Sequence, residues 1–296
     1  MRTRLISANS SELLKMNGDE LKQSIKASEG RTVLSENVVI QPAIDGLTMS
    51  EIAAAFGADL ILLNLFDVFE PKVNGLEVKD AKDTVKRLKE LTGRPIGVNL
   101  EPVDPDAKME SIKFELPKGR IATAESMRRA EELGFNFVCF TGNPGSGVTN
   151  KMIVQAVRTA KENFSGMFIA GKMHGAGVDE PVADEESVKA MIDAGADVIL
   201  VPAVGTMPGF TSDELIKIVK IVHQHDGLVM STIGTSQESS GKDVIREIAL
   251  KNNVDIQHIG DAAWGVLPPT ETIFELSKTI RGLNHTISRM ARSINR

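Results

Sequence analysis

A short motif that recurs along the chain constrains its fold more than any other feature. Residues 56–60, 133–137 and 194–198 each carry a glycine followed, two positions later, by aspartate or asparagine, and residues 253–256 hold a degenerate copy. In each copy a helical pattern ends at the glycine or asparagine, which readily takes the left-handed conformation, and an apolar run begins. Apolar runs of about four to eight residues are typical of strands buried on both faces. Each copy therefore predicts a junction between a helix and the strand that follows it.

Further glycine junctions complete a regular alternation of helices and strands. Gly93, Gly166 and Gly227 precede three other apolar runs. Segments between the runs, such as residues 187–192 and 215–222, place apolar side chains three and four positions apart, as amphipathic helices do. The eight predicted strands cover residues 38–43, 60–66, 96–101, 136–141, 167–172, 198–202, 228–233 and 256–260.

Eight strands alternating with single helices predict a closed (β/α)8 (TIM) barrel of the α/β class. Such strands pair in parallel, and eight units fill a chain of 296 residues as one domain. We assign residues 37–296, including a C-terminal helix, to the barrel and residues 1–36 to an N-terminal helical extension. An open, doubly wound sheet is the alternative, but no Gly-x-Gly-x-x-Gly sequence follows the first predicted strand.

The two ends of the chain carry helical patterns outside the eight units. Residues 10–15 and 19–27 predict two short helices that cover the bottom of the barrel or form a subunit contact. Near the other end, residues 284–296 contain Arg289, Arg292 and Arg296 and no acidic residue, which predicts a solvated helical tail.

Composition narrows the partners and the compartment. The chain has 34 Lys and Arg against 40 Asp and Glu, a net charge of −6 and 4% aromatic residues. This composition predicts no basic surface for binding nucleic acid. No apolar stretch approaches the length of about 18 residues needed to span a membrane. A lone Cys139 and a start without a signal-peptide pattern favour a cytoplasmic protein. The apolar strands and N-terminal helices suggest a homo-oligomer.

Polar residues cluster where the predicted strands end, which is where (β/α)8 barrels build their sites. Because side chains alternate along a strand, Asn99 and Glu101 share one face, and Lys172 and His174 share one face of the fifth strand. We expect both faces to point inward. The polar residues at or after the strand ends are Asp45, Asn64, Asp67, Asn99, Glu101, Thr141, Asn143, Lys172, His174, Thr206, Ser231, Thr232, His258 and Asp261.

Lys172 is the sharpest catalytic candidate among these residues. Partial burial at the end of an apolar strand would lower the pKa of its amine and allow it to attack a carbonyl as a Schiff base. Two alternatives stay open: a fixed cation that holds a phosphate or carboxylate, and a side chain that reaches out of the mouth into water.

Four other side chains complete the catalytic and metal candidates. His174 suits acid–base chemistry near neutral pH, or a loop position bonded to backbone. Glu101 and Asn99, with Asp67, could form one edge of a Mg²⁺ or Mn²⁺ site, since such ions prefer oxygen ligands. Alternatively, Glu101 is a general base or pairs with Lys172.

Three glycine-rich loops are candidates for binding phosphate. One follows the fourth strand and contains Gly145 and Ser146 before a predicted helix start, where backbone N–H groups can bind an anion. The other two follow the seventh and eighth strands, the usual position of phosphate in such barrels. Their candidate residues are Gly234, Thr235, Ser236, Gly260 and Asp261.

The strand order, the Gly-Ala-Asp junctions and these loops resemble the phosphate-binding (β/α)8 barrels, which include sugar-phosphate aldolases, epimerases and the phosphoenolpyruvate mutase group. The resemblance is one of architecture, over about residues 38–282. It implies an enzyme acting on a small phosphorylated sugar or keto acid, by lyase or isomerase chemistry. A divalent-metal hydrolase and a non-catalytic barrel that senses a metabolite are the alternatives.

Overall fold

The computed structural model is a closed barrel of eight parallel strands in which each strand pairs with the next along the chain and β8 pairs with β1. The structure describes residues 3–40, 44–234, 237–260 and 270–296. The strands are β1 (Thr32–Val38), β2 (Leu60–Asn64), β3 (Ile96–Leu100), β4 (Phe137–Phe140), β5 (Met167–Gly171), β6 (Val198–Pro202), β7 (Leu228–Ile233) and β8 (Ile256–Ile259). The predicted (β/α)8 barrel is confirmed.

Helices alternate with these strands and enclose the barrel. The helices are α1 (Ser10–Leu13), α2 (Gly18–Lys26), α3 (Met49–Ala55), α4 (Thr84–Thr92), α5 (Ala124–Leu133), α6 (Asn150–Ala160), α7 (Glu185–Ala194), α8 (Ser212–Gln224), α9 (Lys242–Lys251) and α10 (Thr270–Ala291). Gly282, with φ of 76° and ψ of 163°, interrupts α10. In the part of the chain that the structure describes, no helix has the length and apolar character needed to cross a membrane.

The first strand lies earlier in the chain than predicted. We expected it at residues 38–43, but β1 runs from Thr32 to Val38, so the predicted boundary between residues 36 and 37 falls inside it. The polar residues of β1 caused the error, because buried strands are expected to be apolar. Asn37 accepts a hydrogen bond from Ser50 of α3 at 3.1 Å, while Glu36 lies on the inner face of the barrel.

Side-chain alternation divides the core into two layers. One layer fills the space between strands and helices, whereas the other fills the barrel interior and contains Leu34, Leu62 and Ile169. Leu5, Leu13 and the α2 side chains pack against this interior layer. The N-terminal segment therefore closes the amino-terminal end of the barrel, as the sequence suggested.

The recurring motif has one structural role, repeated four times at this amino-terminal end. The residue two positions after each glycine, or after Asn253, uses its side-chain oxygen and its backbone N–H to bond the N–H and C=O of one residue in the preceding strand. The pairs are Asp59 with Val33, Asn136 with Ile96, Asp197 with Phe168 and Asp255 with Val229, at 2.8–3.1 Å for the side chain and 2.7–3.1 Å for the backbone. Each junction thus extends the strand pairing by a side chain.

One face of the C-terminal segment, which holds Thr286 and Arg289, is buried. Arg289 is fully buried, forms an ion pair with Asp59 at 2.8 Å, and donates to the carbonyls of Leu5 and Ala8. Arg281 pairs with the same carboxylate at 2.5 Å. The prediction of a solvated tail is therefore wrong for Arg289, which with Arg281 neutralises the buried Asp59 and connects the two ends of the chain, whereas residues 293–296 are exposed.

Candidate functional site

A cavity of about 490 Å³ opens at the carboxyl-terminal end of the barrel. Its wall is mostly apolar, and the polar residues in it come from six strands or the loops after them. The polar side chains in this wall are Glu36, Asn64, Asn99, Glu115, Arg120, Thr141, Asn143, His174 and Glu238. Concave, mainly apolar pockets with a few converging polar groups are typical of small-molecule sites.

A buried carboxylate forms the centre of the cavity floor. Glu36 of β1 accepts a hydrogen bond from Asn99 Nδ2 at 2.6 Å through Oε1, and its Oε2 lies 2.7 Å from His258 Nε2. Asn99 lies on β3 and His258 on β8, so three strands orient one carboxylate. Gly97 lies below Asn99, where a Cβ would come within 2.1 Å of the Phe137 ring that closes the interior.

Glu36 was not among the predicted site residues, because β1 begins six residues earlier than predicted. One feature of the sequence could have identified Glu36. Leu34, Glu36 and Val38 are two residues apart and share one strand face, so an acidic residue lies among apolar ones on that face. Arg120 was also not among the predicted site residues; it lies at the end of a short 3₁₀ helix (Lys118–Arg120) in the long β3–α5 loop. No local pattern relates Arg120 to the site.

Glu101 lies at the end of β3 as predicted, but both of its oxygens are engaged. Arg120 donates to Oε1 at 2.5 Å, and the backbone N–H of Asn143 donates to Oε2 at 2.9 Å. The predicted pairing of Glu101 with Lys172 is therefore wrong. The Glu101 carboxylate instead holds the β3–α5 loop to the segment after β4.

The residues proposed for a metal do not fit one. Asp67 Oδ1 accepts from the backbone N–H groups of Phe69 and Glu70, at 2.8 and 3.2 Å, and caps a local turn. Glu101 is neutralised by Arg120. Among the described residues, no three His, Cys, Asp or Glu side chains form a group that could hold a metal ion. No step below is assigned to Mg²⁺ or Mn²⁺.

Lys172 lies outside the cavity wall. Ala170, two residues earlier on β5, packs in the layer facing the helices, whereas Ile169 packs inside the barrel. The Lys172 ammonium is fully buried and pairs with Glu180 at 2.5 Å. Burial lowers the pKa of Lys172, and Glu180 and Asp184 oppose that shift. The expected inward orientation of Lys172 is wrong, since apolar residues on both faces of β5 hide which face points inward.

His174 does line the cavity. Its Nδ1 accepts a hydrogen bond from the backbone N–H of Ala176 at 3.0 Å, which places the proton of the neutral ring on Nε2. Burial lowers the pKa of His174, the charge of Glu36 raises it, and the charge of Lys172 lowers it. The ring is thus a neutral donor near pH 7.

The loop with Gly145 and Ser146 is not available to an anion. The Asn150 N–H at the start of α6 donates to Glu180 Oε1 at 2.7 Å, so a carboxylate of the protein already occupies this helix terminus. The N–H groups of Ser146 and Gly147 bond the carbonyls of Asn143 and Ala176. Gly142, Asn143 and Pro144 line the cavity instead.

The glycines after β7 and β8 lie at the cavity. Gly234 and Gly260 are both in its wall. The buried Glu238 carboxylate lies against Gly260, because a Cβ there would fall 2.1 Å from its Oε2. The predicted phosphate ligands Thr235, Ser236 and Asp261 lie outside the described residues.

The structure is thus a (β/α)8 barrel with a cavity at its carboxyl-terminal end. The chain belongs to the family described as "Domain of unknown function (DUF7916)", whose model matches residues 6–296. No curated protein matches the sequence.

Solved structures share the architecture at low sequence identity. A 2,3-dimethylmalate lyase, described as a member of the PEP mutase/isocitrate lyase superfamily, has a TM-score of 0.51 and 11% identity, with 86% of this chain and 82% of that chain covered. The BexX/CysO complex of Amycolatopsis orientalis gives a TM-score of 0.50 and 14% identity, with 88% and 92% covered. At these identities the similarity concerns the fold.

Proposed function

We propose that this protein is an enzyme that transfers a proton on a small phosphorylated sugar or keto acid, in a lyase or isomerase reaction at the mouth of the barrel. The observation that carries the proposal is the Glu36 carboxylate, buried in the cavity wall and oriented by Asn99 and His258. A carboxylate held in one orientation by two donors, with a lone pair left on each oxygen, suits a general base.

Glu36 would remove a proton from the carbon next to the substrate carbonyl. The C–H electron pair then forms the C=C bond of an enolate, and the carbonyl oxygen takes the negative charge. In an isomerisation, the enolate oxygen then takes a proton, the hydroxyl on the deprotonated carbon loses one to become the new carbonyl, and Glu36 returns its proton to the former carbonyl carbon. In a lyase, the same carboxylate takes the proton of a hydroxyl β to the carbonyl, and cleavage of the carbon–carbon bond leaves the enolate.

His174 would stabilise the enolate oxygen through its Nε2–H. A neutral imidazole is the suitable donor here, because a charged ring would pair with Glu36 and weaken it as a base. The bond from Ala176 N–H fixes the ring tautomer. We therefore keep the predicted catalytic role of His174 and assign the role of base to Glu36, whereas Lys172 and Glu101 hold loops.

The phosphate would bind at the loop after β7, where Gly234 lines the cavity, since the Glu238 carboxylate already lies against Gly260. Gly234 directly follows the end of β7, so the phosphate would lie above the Glu36 network, nearer the solvent. Arg120 also lines the cavity, but its guanidinium pairs with Glu101.

The test follows solvent deuterium into candidate substrates. Wild type is incubated in D2O with small phosphorylated sugars and keto acids, and incorporation next to the carbonyl is followed by NMR. Glu36→Gln should lower the rate about 10²–10⁴-fold, because removal of a general base has an effect of this size. Glu77→Gln, which makes the same change at an exposed carboxylate, should keep the wild-type rate.

Two results would contradict the proposal. Exchange in Glu36→Gln at the wild-type rate would show that Glu36 is not the base. The proton-transfer function itself would be excluded if wild type, at substrate concentrations that saturate the enzyme, exchanged no proton in any of the phosphorylated sugars and keto acids.

A further inference from the structure

We propose that the floor of the cavity binds the hydroxyl groups of a sugar-like chain, and not the carboxylate of a keto acid. This inference rests on the proposed function and selects between its two substrate classes. It starts from four buried polar atoms that have no hydrogen-bond partner among the described residues. These atoms are Asn99 Oδ1, Thr141 Oγ1, Thr232 Oγ1 and His258 Nδ1.

The hydrogen-bonding character of Asn99 Oδ1 is fixed by its neighbour. Asn99 Nδ2 donates to Glu36, which leaves Oδ1 as an acceptor. His258 Nε2 lies 2.7 Å from the other Glu36 oxygen, and its Nδ1 is buried without a partner among the described residues. The two threonine hydroxyls can accept or donate. Asn99 Oδ1 requires a donor from the ligand, which a hydroxyl group supplies and a carboxylate does not.

Because these four atoms are buried, their lack of a partner indicates that a ligand binds them. Asn99, Thr141, Thr232 and His258 are each at most 3% exposed. A buried polar atom without a partner destabilises a protein, and natural structures seldom keep several of them side by side. Asn99 and Thr141 also lie in the cavity wall. Asn99 lies on β3, Thr141 directly follows β4, and Thr232 and His258 lie on β7 and β8, so polar atoms face the interior from two sides, as binding of several hydroxyls requires.

The charges around the cavity floor also favour hydroxyl groups over a carboxylate. A ligand carboxylate on this floor would lie beside the Glu36 carboxylate. The cation that the described wall offers, Arg120, already bonds Glu101 at 2.5 Å, and Lys172 pairs with Glu180 outside the wall. A second negative charge at low dielectric would therefore be repelled, whereas hydroxyls are neutral.

Matched ligands and one double variant test this inference. Calorimetry measures the affinities of ribose 5-phosphate and 3-phosphoglycerate. Both carry a phosphate, but the first has a hydroxylated chain where the second has a carboxylate. Wild type should bind the sugar phosphate at least about tenfold more tightly. Thr141→Val with Thr232→Val should remove most of that preference and leave the affinity for inorganic phosphate unchanged.

The thermal midpoint of the free protein gives a second readout. Valine matches the shape of threonine without its unpartnered hydroxyl, so the double variant should be at least as stable as wild type. Thr92→Val is the control, because the Thr92 hydroxyl is also buried but donates to the Leu88 carbonyl at 2.8 Å. That variant should lose stability and keep wild-type binding.

The outcomes separate this inference from the proposed function. Equal or tighter binding of 3-phosphoglycerate, absence of binding of both ligands at millimolar concentration, or an unchanged preference in the double variant would each overturn it. Deuterium exchange lost in Glu36→Gln together with a preference for 3-phosphoglycerate would leave the proton-transfer function intact. If the protein preferred the sugar phosphate but exchanged no deuterium, the hydroxyl-binding role of the floor would stand and the proton-transfer function would be wrong.

Discussion

The two ends of the barrel differ in how their residues repeat. At the amino-terminal end, four junction residues make the same pair of bonds to the preceding strand. At the carboxyl-terminal end, Glu36, Asn99, Thr141 and His258 each make a different set of contacts. Repetition at one end serves the fold, since every unit meets the same geometric need. Variation at the other end is what the proposed binding of a ligand requires, since a ligand is not symmetric.

The largest effect is expected at the amino-terminal end, from Asp59→Ala. Asp59, Arg281 and Arg289 are fully buried, and removal of the carboxylate leaves two arginines without their shared counter-charge. The free energy of unfolding should fall by about 3–5 kcal/mol, as for other broken buried ion pairs. Urea denaturation followed by circular dichroism measures it.

Asp255→Ala is the matched control at another junction. Asp255 accepts from the Val229 N–H at 2.8 Å and pairs with an exposed His223, so its loss should reduce stability by about 1 kcal/mol. Equal losses in the two variants would contradict the distinct role given to Asp59. Ligand binding by the folded fraction should be unchanged in both, because neither residue approaches the cavity.

Lys172→Met tests a residue near the carboxyl-terminal end of the barrel to which we assign a role in stability and not in catalysis. The side chain bonds Glu180, which in turn bonds the start of α6. Because Glu180 is partly exposed, its loss of a partner should lower the free energy of unfolding by about 1–3 kcal/mol. Deuterium exchange per folded molecule should stay at the wild-type rate.

Lys22→Met provides the comparison at the amino-terminal end. Lys22 on α2 pairs with Asp197 at 3.1 Å, and both side chains are partly exposed, so the loss should be below about 1 kcal/mol. If Lys172→Met instead abolished exchange without loss of stability, Lys172 would be a catalytic residue and the assignment to Glu36 would fail.

The same contrast explains what sequence could predict. Strands β2 to β8 begin and end within two residues of the predicted limits, because junctions and apolar runs are local signals. The site depends on which face of a strand points inward, and β5, apolar on both faces, carries no such signal, so Lys172 was misplaced. Loop partners were also inaccessible, since Arg120 reaches Glu101 across 19 positions of chain that no periodicity relates.

The smallest effect is a pH dependence that belongs to the carboxyl-terminal end. Burial lowers the pKa of His174 below its ordinary value of 6.5, so near and below that pH the unfolded chain binds more protons than the folded protein. Stability therefore falls as pH falls through this range, with a slope of at most about 1.4 kcal/mol per pH unit for one group. His174→Gln should flatten this part of the profile of thermal midpoint against pH. His225→Gln, at an exposed histidine after α8, should leave it unchanged. If His174→Gln kept the full slope, the ring would not be a buried neutral donor, and its role beside Glu36 would have to be given up.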